Sequence, residues 1–394
     1  MRVVLLQTVG GVKEDGDAGG GVIQLAKMAH EWSNSGEDVH FITNEGDKGN
    51  EIYHGITSVH RLRSLNRSFF LEIFFNFMIQ IKQINSLIMQ ESSIPPMESV
   101  VVTTSPYPSD VLAAWYVGRK HRLRCIINFH HVSPPPWQHP FKRGGLTRSL
   151  VNFCMNQLML ILAKIGNLLP SIDNPEELAR LGWSFQTGIL KNYCVLAATS
   201  NCPNINSNNR HIACFVGRVA VNKGVIDLLL IWKKVVTRMP DAKLIIAGKV
   251  THQRLENRLW KLRKRLHLEE NVNFIFRHVS YQEKISLLCS SNLFVFPSYE
   301  EGWSLSVMEA ASVGVLPITY DLPAYSYLGP TAVRAKVGSI DSFADLVMKY
   351  FSEESTRVAI ATELKRRVLD YSPDRISRHL IEKYRQFVET GSVR

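Results

Sequence analysis

The chain lacks C-x-x-C cysteine spacing, long apolar runs and a dinucleotide fingerprint, and each absence argues against a class of protein. Its six cysteines, Cys125, Cys154, Cys194, Cys202, Cys214 and Cys289, show no C-x-x-C spacing. Neither a zinc site nor a disulfide framework is indicated, and a reducing cytoplasm is the expected compartment. No apolar run reaches the roughly 18 residues of a membrane span. The first residues, Met1-Arg-Val-Val-Leu-Leu, read as a strand without signal-peptide architecture, so a soluble or peripheral protein is expected. G-x-G-x-x-G straight after the first strand, with an acidic residue about 20 positions on, is missing, which argues against a Rossmann dehydrogenase. There is no repeat at solenoid period, no low-complexity tract, and no zinc-finger or RNA-recognition signature, so nucleic acid is not an expected partner.

What is present is length and positive charge. With 394 residues and 45% hydrophobic content the chain can bury two cores, and charged residues at 21% argue against disorder. A net charge of +11 and a pI near 9.3 call for an acidic partner: nucleotide phosphates, anionic lipid or nucleic acid. The densest basic run, Arg254, Arg258, Lys261, Arg263, Lys264 and Arg265, is interleaved with Leu255, Leu259, Leu262 and Leu266 at helical core spacing. It reads as a solvated helix face rather than a nucleic-acid groove.

Strand and helix patterns alternate through both halves. Val3–Gln7, Val22–Ser33, Val39–Thr43, Val100–Thr104, Asp110–Lys120 and Cys125–Phe129 make the first set, and the pattern restarts at Ile212. The expected fold class is α/β, with two doubly wound, Rossmann-like parallel-sheet domains facing a cleft. The expected divisions are an N-terminal domain over 1–196, an Asn-rich linker over 197–211, a C-terminal domain over 212–371 and a final helix over 372–394 packing back toward the N-terminal domain. The active site is expected in the cleft that the linker spans.

Two stretches of the second half carry chemistry. Phe215-Val-Gly-Arg-Val-Ala-Val-Asn-Lys-Gly224 follows a strand and opens a helix, placing Arg218 and Lys223 at a βα turn. A guanidinium fork, an ammonium and helix-start N–H groups together suit a diphosphate, although an ordinary basic loop has the same composition. In Phe294-Val-Phe-Pro-Ser-Tyr-Glu-Glu-Gly-Trp-Ser-Leu-Ser-Val-Met-Glu-Ala310, Glu301 falls at a strand's carboxyl edge and Glu309 about two turns into the next helix. Each carboxylate can accept hydrogen bonds from vicinal hydroxyls, beside unpaired N–H groups at Gly302, Trp303 and Ser304. Taken alone, the pair also fits a turn residue and a solvated helix residue.

Gly217-Arg218, Lys223-Gly224, Ile245-Ile-Ala-Gly248, Pro297-Ser298, the Glu301 to Glu309 pair and Gly314 before a strand together resemble the family-4 retaining glycosyltransferases of GT-B fold. The resemblance covers the C-terminal domain. It implies that Gly217, Arg218 and Lys223 hold the donor's diphosphate, that Glu309 holds the nucleotide ribose, and that Glu301, with Gly302, Trp303, Ser304 and Leu305, holds the transferred sugar. The N-terminal domain is similar more loosely. Gly20 and Gly21 of the Gly19–Gly21 run resemble the family's glycine-rich loop, and His130 ends a strand where the family often has a histidine contacting the donor sugar. His131 is the neighbouring alternative.

Where the family commonly reads Glu-Gly-Phe-Gly-Leu, this chain reads Glu301-Gly-Trp-Ser-Leu305, so a larger ring and a side chain replace phenylalanine and glycine. The implied reaction is a retaining transfer from a nucleotide-diphosphate-sugar donor to a glycan or lipid-linked acceptor, with no cofactor and no metal. Asp15-Gly-Asp17 reads as turn chemistry rather than a cation site. A non-catalytic sugar-nucleotide or glycan-binding protein on the same fold needs the same ligands. Two apolar segments, 69–88 and 153–169, fit either the core or an anionic membrane surface, the latter at the cytoplasmic face.

Overall fold

The computed structural model describes residues 1–7, 20–44, 53–62, 98–130, 132–138, 145–191 and 211–393, with positions 77, 78, 81, 82 and 85. Gly19, the Asp15–Asp17 triplet, His131, linker positions 197–210 and most of 69–88 lie outside the described residues. Contacts divide the chain into two units: 1–132, 152–195 and 372–394 form the first, and 133–151 with 196–371 the second. The described residues 133–138 and 145–151 group with the second unit.

The first unit is built on a seven-stranded parallel sheet. Its strands are β1 (Arg2–Gln7), β2 (Asp38–Asn44), β3 (Ser58–Leu62), β4 (Ser99–Thr103), β5 (Arg124–Phe129), β6 (Leu169–Ile172) and β7 (Leu190–Lys191), in the order β3-β2-β1-β4-β5-β6-β7. Helices α1 (Gly20–Asn34), α2 (Pro108–His121), α3 (Leu146–Ile165) and α4 (Pro175–Arg180) connect them. The central strands are continuous apolar runs because both faces are covered: Val3 to Leu6 and Val100 to Val102 are all buried.

The second unit repeats the topology. Strands β8 (Ile212–Val216), β9 (Lys243–Ala247), β10 (Val272–Ile275), β11 (Leu293–Phe296), β12 (Leu316–Tyr320) and β13 (Val333–Ala335) are parallel in the order β10-β9-β8-β11-β12-β13. Between and after them run α5 (Val225–Arg238), α6 (Gln253–Arg265), α7 (Tyr281–Cys289), α8 (Leu305–Ser312), α9 (Ile340–Ser352) and α10 (Glu354–Val368). Both sheets reverse direction beside their first strand, the place where open α/β sheets form a ligand crevice at the strands' carboxyl ends. On α6, Leu255, Leu259 and Leu262 are buried, and Arg254, Arg258, Lys261 and Arg265 are exposed, as their spacing predicts.

The last helix, α11 (Pro373–Thr390), belongs to the first unit. Trp32 of α1 packs against Tyr384 at 5.5 Å between centroids, tilted by 58°, and donates Nε1–H to the Ser377 carbonyl at 2.9 Å. Arg385 pairs with Glu37, which also takes the N-terminal ammonium at 2.8 Å. Of the described cysteines, Cys125, Cys154 and Cys214 are free and Cys289 is disulfide-bonded, a bond its spacing in the sequence does not signal. Burial pushes the thiols of Cys125 and Cys214 up to about 12, so neither is a nucleophile at neutral pH.

Trp32→Ala removes a fully buried ring and its hydrogen bond, and should cost about 3–5 kcal/mol. Urea denaturation should show the fall in the first unit's transition.

Candidate functional site

At the carboxyl edge of β8 the chain passes through Gly217 and Arg218 into a 3-10 turn, Val221–Lys223, and then into α5. The turn closes on Gly224 at φ +69°, where an added Cβ would lie 1.8 Å from the Pro297 carbonyl oxygen. Only glycine allows the cationic turn to lie backbone to backbone on the loop after β11. Two hydrogen bonds fasten the contact: the Tyr299 N–H donates to the Asn222 carbonyl at 2.8 Å, and the Ser298 hydroxyl donates to the same oxygen at 3.2 Å.

That contact brings two of the sequence-predicted charges together. Lys223 Nζ lies 2.5 Å from Glu301 Oε1, with the side chains 14% and 8% exposed, so the pair is largely withdrawn from water. The ammonium also lies 5.9 Å from the centroid of the Phe296 ring. Arg218 is exposed and, among the described residues, takes no ion-pair partner. Beneath the loop, Asp227 of α5 is buried and accepts hydrogen bonds from the hydroxyls of Tyr299 and Tyr320, the latter at 3.1 Å. Burial first, and then the Asp227 carboxylate, push both phenols well above their ordinary range, so they remain donors.

Glu309 sits in the second turn of α8, buried, and accepts from Lys284 Nζ at 2.9 Å. Lys284 is held on α7, whose start is fixed by a capping box between Ser280 and Glu283. Sequence reasoning missed Lys284. A lysine in the first turn of an amphipathic helix looks solvated, and nothing local reveals a carboxylate 25 positions away.

The residues between the two carboxylates divide by role. Ser304 precedes α8 at φ +68°, ψ +87°, in the left-handed region, and its side chain does not cap the helix. This is the position where the family pattern has glycine, and the backbone shows why glycine suits it. The first N–H groups of α8 therefore open at the strands' carboxyl edge without a side-chain cap. Trp303, the larger ring at the position where the family pattern has phenylalanine, faces inward. The indole is buried, stacked on Tyr327 at 4.6 Å and 6° and edge-on to Tyr371 at 5.1 Å, so its bulk is taken up by the domain's own packing. Gly302 and Leu305 are half-buried beside it. Tyr325, unforeseen in the sequence, is fully buried, and its phenol is pushed up by burial and then by the nearby Glu301 charge.

In the first unit, His130 follows β5 and its Nε2 lies 2.7 Å from the Thr104 carbonyl oxygen. A carbonyl only accepts, so that nitrogen carries a proton. Gly20 and Gly21 form the first turn of α1 rather than a loop preceding it. Among the described residues no three of His, Cys, Asp and Glu gather closely enough to hold a metal.

Residues 202–367 match the family model described as glycosyl transferases group 1. That match falls within the second unit. The chain is 27% identical over 188 residues to the capsular polysaccharide biosynthesis glycosyltransferase CapM of Staphylococcus aureus, covering 46% of this chain and 48% of that protein. It is 33% identical over 111 residues to the GDP-mannose:cellobiosyl-diphosphopolyprenol alpha-mannosyltransferase of Xanthomonas campestris, covering 28% and 29%. The chain thus spans about half or less of the length of these curated relatives. Among solved structures, sucrose-phosphate synthase from Thermosynechococcus elongatus superimposes with a TM-score of 0.77 at 16% identity, covering 98% of this chain and 99% of that one. Anabaena HepE in complex with UDP and glucose gives 0.76 at 13%, covering 98% and 100%. At these identities the likeness is one of fold, and the fold is GT-B.

The second unit carries its serine at position 304 at a steric cost. Ser304→Gly should relieve roughly 1–2 kcal/mol of left-handed strain against about 0.5–1 kcal/mol of extra backbone entropy. A small net gain in stability, read as a higher urea midpoint, is expected. A loss would mean that the serine side chain is a structural ligand.

Proposed function

We propose that the protein is a retaining glycosyltransferase that moves a sugar from a nucleotide-diphosphate-sugar donor to a glycan or lipid-linked acceptor hydroxyl. The observation that carries this reading is the 2.5 Å contact between Lys223 and Glu301, which sets the basic turn and the acidic motif side by side at one sheet edge. Arg218 and Lys223 take the donor's diphosphate, Glu309 the ribose, and Glu301 with the backbone at Gly302 to Leu305 the transferred sugar. His130 is the first unit's candidate contact to that sugar, and Gly20 and Gly21 let backbone approach the ligands. Relatives support the chemical class, since the names of two of them specify a diphosphopolyprenol-linked and a diacylglycerol-linked substrate or product.

In the proposed step the sugar's C1–O bond to the diphosphate breaks and a bond from C1 to the acceptor oxygen forms on the same face. The acceptor proton passes to the departing phosphate oxygen. The positive charge of Arg218 and Lys223 stabilises the leaving group, so the step needs neither a metal nor a cofactor. The setting that fits this acceptor is the cytoplasmic face of a membrane, with the protein bound peripherally.

Arg218→Ala is the cleaner test, because this exposed side chain takes no ion-pair partner among the described residues. Losing one charge-assisted contact should weaken UDP or GDP binding by roughly tenfold to a hundredfold in calorimetry. Lys223→Ala should do at least as much, and Glu309→Ala should weaken nucleotide binding through the ribose. Unchanged affinity in all three would overturn the site. Turnover of no donor, with nucleotide binding intact, would leave a binding protein on the same fold, and NMR of the product's anomeric centre tests retention.

A further inference from the structure

Helix α3 carries an apolar face that the described residues leave exposed. Val151, Leu158, Ile161 and Ile165 are between 43% and 77% exposed, with Leu146 and Leu150 similarly open beside them. With exposed Cys154, the positions 151, 154, 158, 161 and 165 recur at steps of three and four, so they share an arc of about 80° at 100° per residue. The opposite face is anchored: Met159, Leu160 and Ala163 are buried in the first unit's core. By length and composition the helix could cross a membrane, but only 22% of its most apolar 18-residue window is buried in the protein. A helix held by one face in a folded core and open on the other is placed to lie along an interface, not to span it.

Charge decides what covers this face. The 20 residues of α3 contain no Asp or Glu, and their charged side chains, Arg148 and Lys164, are both exposed cations flanking the apolar arc. A second copy of the helix would offer neither cation an acidic partner, because the helix carries no Asp or Glu. An anionic lipid surface accepts the apolar side chains and neutralises both flanks. We propose that the open face of α3 is the surface by which this protein docks on an anionic membrane. The proposal rests on the lipid-linked acceptor reading and gives it a physical location.

The test is flotation of the full chain with vesicles of phosphatidylcholine alone or mixed with phosphatidylglycerol, compared with Leu158→Glu/Ile161→Glu. The wild-type chain should float with the anionic vesicles and less at high salt, and the double variant should lose at least about tenfold in partitioning. An unchanged melting midpoint and unchanged UDP or GDP binding would show that the variant is folded. Arg148→Gln/Lys164→Gln should lose the preference for phosphatidylglycerol. Equal flotation of wild type and the Glu variant, or no flotation of either, overturns the proposal. So does a wild-type dimer in sedimentation that the Glu variant converts to monomer, which would assign the face to a second copy. Nucleotide binding without flotation would sink the docking face and leave the transferase reading standing; flotation without any nucleotide binding would do the reverse.

Discussion

Everything at the candidate site depends on a lysine and a glutamate held in contact with little water around them. Burying such a pair adds little net stability, because desolvation offsets most of the attraction, but leaving either member alone costs about 3–5 kcal/mol. Lys223 and Glu301 neutralise one another, and Lys284 does the same for Glu309. On the proposed reading, an arriving diphosphate meets Arg218 first and then competes with Glu301 for Lys223. The glutamate that loses its lysine regains partners from sugar hydroxyls.

The scaffold keeps this exchange local. The 3-10 turn and the loop after β11 meet through backbone at Gly224 and Pro297, and the loop's underside is fixed by two phenols on the buried Asp227. Side chains can change partners there without moving the main chain. Among these site residues, Ser304 carries a left-handed non-glycine backbone at the start of the helix that carries Glu309.

Much of this was legible before any coordinates. The second unit's elements follow from apolar runs and helical spacing, because buried parallel strands and a strongly amphipathic helix leave unambiguous traces. The first unit was harder. β3 carries His60 and Arg61, β6 contains Pro170 and β7 has two residues, so none of them presents the run of β-branched residues that marks a strand. At the site, the carboxylates and cations could be read from turn chemistry and family resemblance, whereas their protein partners could not. Lys284, Asp227, Tyr325 and the Trp303 stack owe their places to tertiary contacts between distant segments, which no local spacing encodes.

The return of α11 to the first unit has a consequence for biosynthesis. Trp32 and the Ser377 carbonyl it bonds are 345 positions apart in the chain. At about 5–20 residues per second, a ribosome takes on the order of half a minute to deliver the second after the first. The amino-terminal half is made first and completed last, and until then its α1 surface is the part of the nascent chain most in need of shelter.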